Sequence, residues 1–460
     1  MIPLTLQEIA DATSGRVAGA DPGTLVSGPL SFDSRNVHPG GLFAALPGTR
    51  TDGHDFAAAA VADGAVAVLA SSPVTVPAVY VQDVTAALGD IARAVADRYT
   101  GLVLALTGSA GKTSTKDLLL PVLQLAGPTV ANVKSFNNEI GFPSTVARAE
   151  ESTRYLVLEM GARGKGHITY LTGIARPRIS AVLNVGTAHL GEFGSREGIA
   201  EAKAEIVAAL PPASEGGVAV LNGDDPLVRA MAGKTAAKVL FFGTGPTCDV
   251  RAEDITLSGA GRLSFTLHAG GKSAVVSPDV FGGHHVTNAL AAAALALAAG
   301  VPFETVARGL DGARIVSGAR MEVTDRPDGV TVVNDAFNAS PEATRAALDS
   351  LAHLAGGRPV VAVLGEMMEL GDRAEEIHRN MGKLAAARGV DRLITVGGPN
   401  AAAMAAAARE AGMSEVEHVA DRAGVLPLLD GLPPKAVVLV KGAHSLALDE
   451  IAATLTTSRK

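Results

Sequence analysis

The residues best placed to do chemistry stand in one run, Leu102-Val-Leu-Ala-Leu-Thr-Gly-Ser-Ala-Gly-Lys-Thr-Ser-Thr115. Leu102 to Leu106 read as a buried strand entering a glycine turn, and Leu118, Leu119 and Leu123 carry a helix out of it. Gly108 and Gly111 let the backbone turn tightly. The N–H groups around Ser109, Ala110 and Ser114 then converge with the positive end of the helix on one spot. A nucleotide's terminal phosphates fit there, with Lys112 reaching them and the Thr113 hydroxyl holding the magnesium ion that bridges them. The spacing Gly108-x-x-Gly-Lys-Thr is shorter than the usual P-loop, with Leu106 where that pattern has a glycine. Strand, turn, Lys-Thr and helix together predict a nucleotide site rather than an idle turn.

Further polar groups stand where apolar runs end. Tyr155-Leu-Val-Leu ends in Glu159, Ile179-Ser-Ala-Val-Leu in Asn184-Val-Gly-Thr-Ala-His189, and Val218-Ala-Val-Leu in Asn222-Gly-Asp-Asp-Pro226. Near-continuous apolar strands alternating with helices predict a parallel sheet, whose ligands bind beyond the carboxyl ends of its strands. Glu159, His189, Asn222, Asp224 and Asp225 are therefore expected near the phosphates; the competing role is helix capping, for which Asp225-Pro226 is well suited. Glu159 and His189 at neighbouring strand ends suit a second magnesium. His284-His285, without a third ligand at suitable spacing, predicts a cap or nucleotide contact for the helix that follows.

These groups need elements to position them. Thr5 to Ala12 predicts a short helix with a capping box, Thr5 with Glu8. Residues 31–56 carry two apolar pieces around the turn Pro39-Gly40-Gly41 and a dense polar set, Ser31, Asp33, Ser34, Arg35, Asp52 and His54. Taken alone, that set reads as solvated loops. Between Val250 and Val280 the period changes to two, an antiparallel excursion. A boundary near Val316-Ser-Gly318 opens a third unit. Its strands near 330–333, 360–364, 393–396 and 437–440 again end in polar clusters, among them Asn334-Asp335 and Lys441-Gly-Ala-His444. The expected fold is α/β in three domains: a small mixed α/β N-terminal domain over residues 1–100, a central P-loop parallel-sheet ATPase domain over 101–314, and a C-terminal Rossmann-like doubly wound domain over 315–460. Two open sheets facing across a cleft suggest that closure assembles one active site.

Composition narrows the function. A chain of 460 residues with a formal charge of −8, no Trp and four Tyr offers neither the charge nor the stacking surface of a nucleic-acid binder. The single Cys248 excludes an internal disulfide and fits a reducing compartment. Met1-Ile-Pro-Leu-Thr-Leu lacks a basic signal region, and the Ala289–Ala299 run is too short for an integral membrane segment. The expectation is a cytoplasmic protein.

In order, Thr107-Gly-Ser-Ala-Gly-Lys-Thr113, Ser135-Phe-Asn-Asn-Glu-Ile-Gly-Phe-Pro143, Glu159-Met-Gly161, Asn184 to Ser195 and Asn222-Gly-Asp-Asp-Pro226 resemble the Mur ligases, the ATP-dependent amino-acid-adding enzymes of peptidoglycan assembly. His285 with Asn288, Arg320-Met-Glu322, Asn334-Asp335 and Lys441-Gly442 extend the resemblance over essentially the whole chain. The Asp33-Ser-Arg35 to Asp52-Gly-His54 block resembles the uridine-binding domain of the two later ligases. Asp335-Ala-Phe-Asn-Ala-Ser-Pro341 and Leu364-Gly-Glu-Met-Met-Glu-Leu-Gly371 look like the last of them.

The resemblance implies a ligase that phosphorylates the terminal carboxylate of a UDP-N-acetylmuramoyl-tripeptide and admits the amine of D-Ala-D-Ala, with ATP and two magnesium ions. It implies that Lys112 stabilises the transferring phosphoryl group and that Thr113 and Glu159 hold the first ion. His189 helps hold the second with Lys203, carbamylated by carbon dioxide. Without the family, Lys203 in Glu201-Ala-Lys-Ala-Glu205 reads as a solvated helix lysine. It further implies Asn288, Arg320 and Asp335 on the nucleotide, Asn138 near phosphates and substrate, Ser31 to His54 on the UDP-sugar, Asn338 and Ser340 on the acceptor, and a monomer. Phe337, Ser340 and Ala443-His444 depart from the family's usual Tyr, Asn and Ser-Arg. The competing readings are a sister ligase adding another amino acid, a folylpolyglutamate-type ligase, and a nucleotide-gated module that binds without joining anything.

Overall fold

The computed structural model describes residues 1–48, 51–187, 190–258 and 261–457, and every strand and helix named below is built from those residues. The central sheet has nine strands. In spatial order they are Lys272–Val276, Leu263–Ala269, Val250–Leu257, Lys238–Gly243, Val218–Asn222, Ile179–Val182, Leu102–Thr107, Tyr155–Glu159 and Thr129–Ala131. The first two pairings are antiparallel and the rest parallel. The P-loop strand Leu102–Thr107 lies between two parallel neighbours, with Leu106 opposite Glu159 and Thr107 opposite Val182. That register brings the ends of three strands level.

Both faces of this sheet are covered, which is why its strands are apolar throughout. On one face Leu104 and Leu106 pack with Leu118, Leu119, Val122 and Leu123 of the P-loop helix Lys112–Gln124, and with the alanine-rich helix His285–Ala298. Alanines there let two helices lie close to the sheet and to each other. On the other face Ala105, Leu156 and Leu158 share a core with Val84, Leu88, Ile91 and Val95 of helix Val84–Arg98, so the N-terminal segment docks through a continuous apolar layer. Each fully buried leucine in these layers contributes roughly 2 kcal/mol.

The N-terminal sheet runs Arg16–Ala18, Ala78–Tyr80, Ala67–Ala70, Leu42–Ala44, Leu30–Ser31, parallel except for its first pair. Leu30–Ser31 and Leu42–Ala44 pair in parallel, so Pro39-Gly40-Gly41 is part of a crossover rather than a hairpin turn. Helix Leu6–Ala12 begins with the expected capping box of Thr5 and Glu8. The third sheet runs Glu322–Asp325, Thr331–Asn334, Val437–Lys441, Val360–Gly365, Arg392–Val396, Glu415–Val419, parallel except for its first pair. The α/β architecture with parallel sheets is as expected. Among the described residues no helix is long and apolar enough to cross a membrane.

Candidate active site

The turn after Leu102–Thr107 is held open for a ligand. Gly111 has φ +82°, a conformation glycine adopts without penalty, and a Cβ there would stand 2.3 Å from Asn288 Oδ1. Asn184, at the end of the neighbouring strand, clamps the loop from the other side. Its Oδ1 accepts from Ala110 N at 2.9 Å and its Nδ2 donates to Ala110 O at 3.1 Å. Gly186 N donates to Ser109 Oγ at 2.9 Å. Lys112 Nζ donates to Gly108 O at 2.7 Å, folded back along the loop it serves. Burial lowers the Lys112 pKa, Glu159 opposes that shift and Arg320 adds to it. Ser114 is buried at the start of the helix.

Thr113 and Glu159 meet beside Lys112. Thr113 Oγ1 donates to Glu159 Oε2 at 2.8 Å and lies 2.7 Å from Ser135 Oγ. Asn137 Nδ2 donates to Glu159 Oε1 at 2.6 Å, and Asn132 Oδ1 accepts from Glu159 N. Glu159 is thus a carboxylate held almost completely out of water by neutral donors. A hydroxyl, a carboxylate and nucleotide phosphates are the hard oxygen donors magnesium takes, so this pair fits that ion. Among the described residues there is no cluster of three His, Cys, Asp or Glu.

Lys203, on helix Arg196–Ala208, is buried rather than solvated, and among the described residues no hydrogen bond or ion pair holds its ammonium. Burial, with Lys112 adding to it, pulls its pKa down to about 7. His189 lies outside the described residues.

His285 is buried and His284 half-buried beside it, with the two rings 3.9 Å apart. Burial pushes His284 down to about 4 and His285 well below its ordinary value, so both are neutral at pH 7. His284 makes no side-chain cap to its helix, contrary to the capping expectation. Asn288 Nδ2 lies 3.1 Å from His285 Nδ1, which must therefore accept, leaving His285 Nε2–H as a buried donor with no partner among the described residues.

The third sheet faces this site. Arg320 Nη2 donates to Ser135 Oγ at 2.6 Å, and its guanidinium lies 4.1 Å from the Phe337 ring centre, whose other neighbour is the stacked His444 ring at 5.7 Å. Two of the three departures from the family pattern therefore touch. Lys441 Nζ donates to Asp335 Oδ2 at 2.6 Å and Asn338 O at 3.0 Å, and Met321 N donates to Asp335 Oδ1. Asn338 is exposed, whereas Ser340 is the N-cap of helix Pro341–Ala355, accepting from Ala343 N. Glu342, in the first turn of the same helix, takes both donors of Thr187: the amide at 2.7 Å and the hydroxyl at 2.8 Å.

In the N-terminal sheet, Arg35 bonds Asp33 through Nε and Nη2 and holds that carboxyl down to about 2. Asp33 caps the turn Ser34–Asn36, and Ser31 Oγ donates to Asp33 O. His54 Nε2 accepts from the amides of Ser71 and Ser72, so its Nδ1 carries the proton and donates to Asp52 at 2.6 Å. The Phe32 and Phe136 rings, 5.4 Å apart, join this unit to the loop of Ser135 and Asn137. Asn138 Oδ1 accepts from Gly141 N at 2.9 Å.

Asn222, Asp224 and Asp225 are committed to the loops themselves. Asn222 Nδ2 donates to Leu183 O, and Asp224 accepts from Thr244 and Gly245. Asp225 caps helix Pro226–Arg229 and also accepts from Val185 N. Capping and loop bracing, not exposure to a ligand, occupy these three. Sequence reasoning assigned no role to Ser135, Asn137 or Asn184, although their motifs were visible, and Glu342 lay outside any motif.

The Mur ligase middle domain matches residues 106–296, the Mur ligase, glutamate ligase domain residues 319–444, and the Mur ligase family, catalytic domain residues 29–99. The UDP-N-acetylmuramoyl-tripeptide–D-alanyl-D-alanine ligase of Mycobacterium tuberculosis is 47% identical, the match covering 99% of this chain and 98% of that protein. The crystal structure of MurF from Acinetobacter baumannii superposes with a TM-score of 0.85 at 32% identity, covering 99% of each chain. That of the MurF ligase from Thermotoga maritima in complex with ADP gives 0.78 at 28% identity, covering 94% of this chain and 97% of that one. With a P-loop, a buried Thr–Glu pair and two flanking sheets matched from end to end, this chain belongs to the Mur ligase family.

Proposed function

We propose that this chain joins D-alanyl-D-alanine to the terminal carboxylate of UDP-N-acetylmuramoyl-tripeptide, giving UDP-N-acetylmuramoyl-pentapeptide, ADP and phosphate, in the cytoplasm and as a monomer. The observation that carries it is the end-to-end match, at 47% identity, to a ligase of that activity. The geometry supports the same reading, because groups from the central and third sheets converge on the phosphate loop and Phe32 of the N-terminal unit packs on the neighbouring loop of Ser135.

The tripeptide carboxylate attacks the γ-phosphorus of ATP, ADP leaves, and an acyl phosphate forms. The amine of the dipeptide then attacks the acyl carbon, a C–N bond forms, and the C–O bond to phosphate breaks. Magnesium, when bound, supplies charge neutralisation on the phosphates. Thr113 and Glu159 are the residues that would hold the first ion. Lys112 exchanges the Gly108 carbonyl for the transferring phosphoryl group and stabilises its charge. The amides of Gly108, Ser109, Ala110 and Gly111 would cradle the β-phosphate side, those of Ser109 and Ala110 on exchanging the Asn184 carbonyl and Oδ1 they donate to here for phosphate oxygens.

Lys203 is neutral above about pH 7, the form that can add carbon dioxide with loss of one proton. As a carbamate it would give an anionic oxygen for a second ion, together with His189. The unpaired donors of His285 and Arg320 point to a nucleotide contact around Asn288, with Asp335 on the ribose. Ser31, Asp33, Ser34, Arg35, Asp52 and His54 receive the UDP-sugar, Asn138 its reacting end, and the loop of Asn338 and Ser340 the acceptor. Arg320 and Glu342 close the third domain over the loop, which excludes the water that would hydrolyse an acyl phosphate.

The test is a mass-spectrometric product assay with Mg-ATP, UDP-N-acetylmuramoyl-tripeptide and a panel of amines. A product heavier by one D-Ala-D-Ala unit, with ADP and phosphate, is expected. Turnover only with another amine would make the chain a sister ligase. Binding of both nucleotides without turnover would make it a binding module.

A further inference from the structure

We propose that the carboxylate of Glu342 is the seat of the acceptor's primary ammonium, held where the third domain meets the loop after strand Ile179–Val182. The inference rests on the ligase reading above. Glu342 stands in the first turn of helix Pro341–Ala355, directly after the loop of Asn338. Its Oε1 is filled by the two Thr187 donors across the domain boundary. Its Oε2 is buried, and among the described residues it has no hydrogen-bond partner and no Lys, Arg or His forms an ion pair with it. A buried carboxylate oxygen left empty is costly, and a ligand that brings donors removes the cost.

The place is also the right one. A Cβ on Gly186 would stand 2.7 Å from Glu342 Cδ and 2.9–3.0 Å from its two oxygens, so the carboxylate fits only because residue 186 has no side chain. The same Gly186 donates its N–H to Ser109 Oγ in the phosphate loop. The empty oxygen therefore lies one residue from the loop where the acyl phosphate forms. A carboxylate there repels the phosphates and the tripeptide carboxylate, and attracts a cation. The dipeptide brings one at the nitrogen that must reach the acyl carbon. The third residue of the tripeptide, lysine or diaminopimelate, brings another on its side chain, and a KM for UDP-tripeptide that rises in place of the dipeptide KM would assign the seat to that group and overturn the proposal.

Steady-state kinetics of the full chain, with D-Ala-D-Ala, ATP, UDP-tripeptide and magnesium each varied, compare the wild type with Glu342→Gln. Glutamine keeps an acceptor for Thr187 and loses the charge. We expect the KM for D-Ala-D-Ala to rise about 10- to 100-fold, as loss of a charge-assisted hydrogen bond implies. The KM values for ATP and UDP-tripeptide and the magnesium requirement should stay in place. Calorimetry with a non-hydrolysable ATP analogue and UDP-tripeptide gives a second reading. N-acetyl-D-Ala-D-Ala, which has no ammonium, should bind the wild type and the variant equally, while D-Ala-D-Ala should bind the variant more weakly. Glu342→Asp, which keeps the charge, should recover part of the KM and serves if the glutamine variant does not fold. An unchanged dipeptide KM, or a shifted magnesium requirement in its place, would overturn the proposal. If the wild type joins some other amine, the ligase reading fails, and the same comparison with that amine still decides the seat.

Discussion

A lysine buried without a counter-ion gives up its proton readily, and Lys203 is the residue where this has chemical use. Its folded pKa is about 7 against an ordinary 10.5. Between those values the unfolded chain binds a proton at this position that the folded chain does not, so the Lys203 contribution to stability rises with pH across that window. Below about pH 7 both states are protonated and the full penalty of the buried charge is present. The denaturant midpoint of the wild type, measured against Lys203→Met, should therefore climb from pH 7 toward 10; a flat difference would mean that the amine is solvated. The catalytic prediction has the same sign. Product formation should fall as pH drops through about 7, and Lys203→Ala should lose activity and regain part of it with a small added carboxylate. Full activity of Lys203→Ala would remove the carbamate from the mechanism.

Elements decided which of the sequence-level roles could be read. The P-loop was legible because a buried strand, a glycine turn and an amphipathic helix leave a joint signal over fourteen residues, and Gly111 with its positive φ fulfils it. Strands such as Val360–Gly365 and Val437–Lys441 were legible as short apolar runs buried on both faces. Thr129–Ala131, Glu322–Asp325 and Glu415–Val419 were not read as strands; each is short or partly exposed at or near a sheet edge, so pairing rather than composition makes it a strand. Lys203 was misread from its charged helical neighbours, because burial depends on what packs over a helix. The acids after Val218–Asn222 carried the same ambiguity, and geometry assigned them to bracing. Asp225 is the test case. Its Oδ1 caps Pro226–Arg229 and its Oδ2 takes the Val185 amide at 2.8 Å. Asp225→Ala should lose about 1 kcal/mol for the cap and about 1–3 kcal/mol for an unpaired buried amide. Asp225→Asn should keep most of the cap. Urea unfolding distinguishes the two variants, and equal, small losses would mean that Val185 finds another partner.

At the scale of the whole molecule, the third domain is tied to the phosphate site through the helix that binds it. Asp117 and Lys116, adjacent on the P-loop helix and both buried, form an ion pair at 3.1 Å. Asp117 Oδ2 also accepts from Val316 N at 3.1 Å and Ser317 N at 2.8 Å, in the linker between the central and third sheets. Three residues further on, Arg320 reaches Ser135, which touches Thr113. The linker is thus pinned to the helix whose first residues bind phosphate, and the path from ligand to domain position runs over a few direct contacts. Asp117→Ala leaves the Lys116 ammonium, still bonded to the Asn132 and Lys134 carbonyls, without its counter-charge and two linker amides without their acceptor, which should destabilise the protein by about 3–5 kcal/mol. It should also loosen the third domain, so that X-ray scattering of the free protein gives a larger radius of gyration than the wild type. Adding ATP analogue and UDP-tripeptide should recover part of the difference, since those ligands favour the closed arrangement through Arg320, which reaches Thr113 by way of Ser135. An unchanged radius with an intact melting temperature would mean that the pinned linker does not set the domain position, leaving that role to the contacts across the cleft.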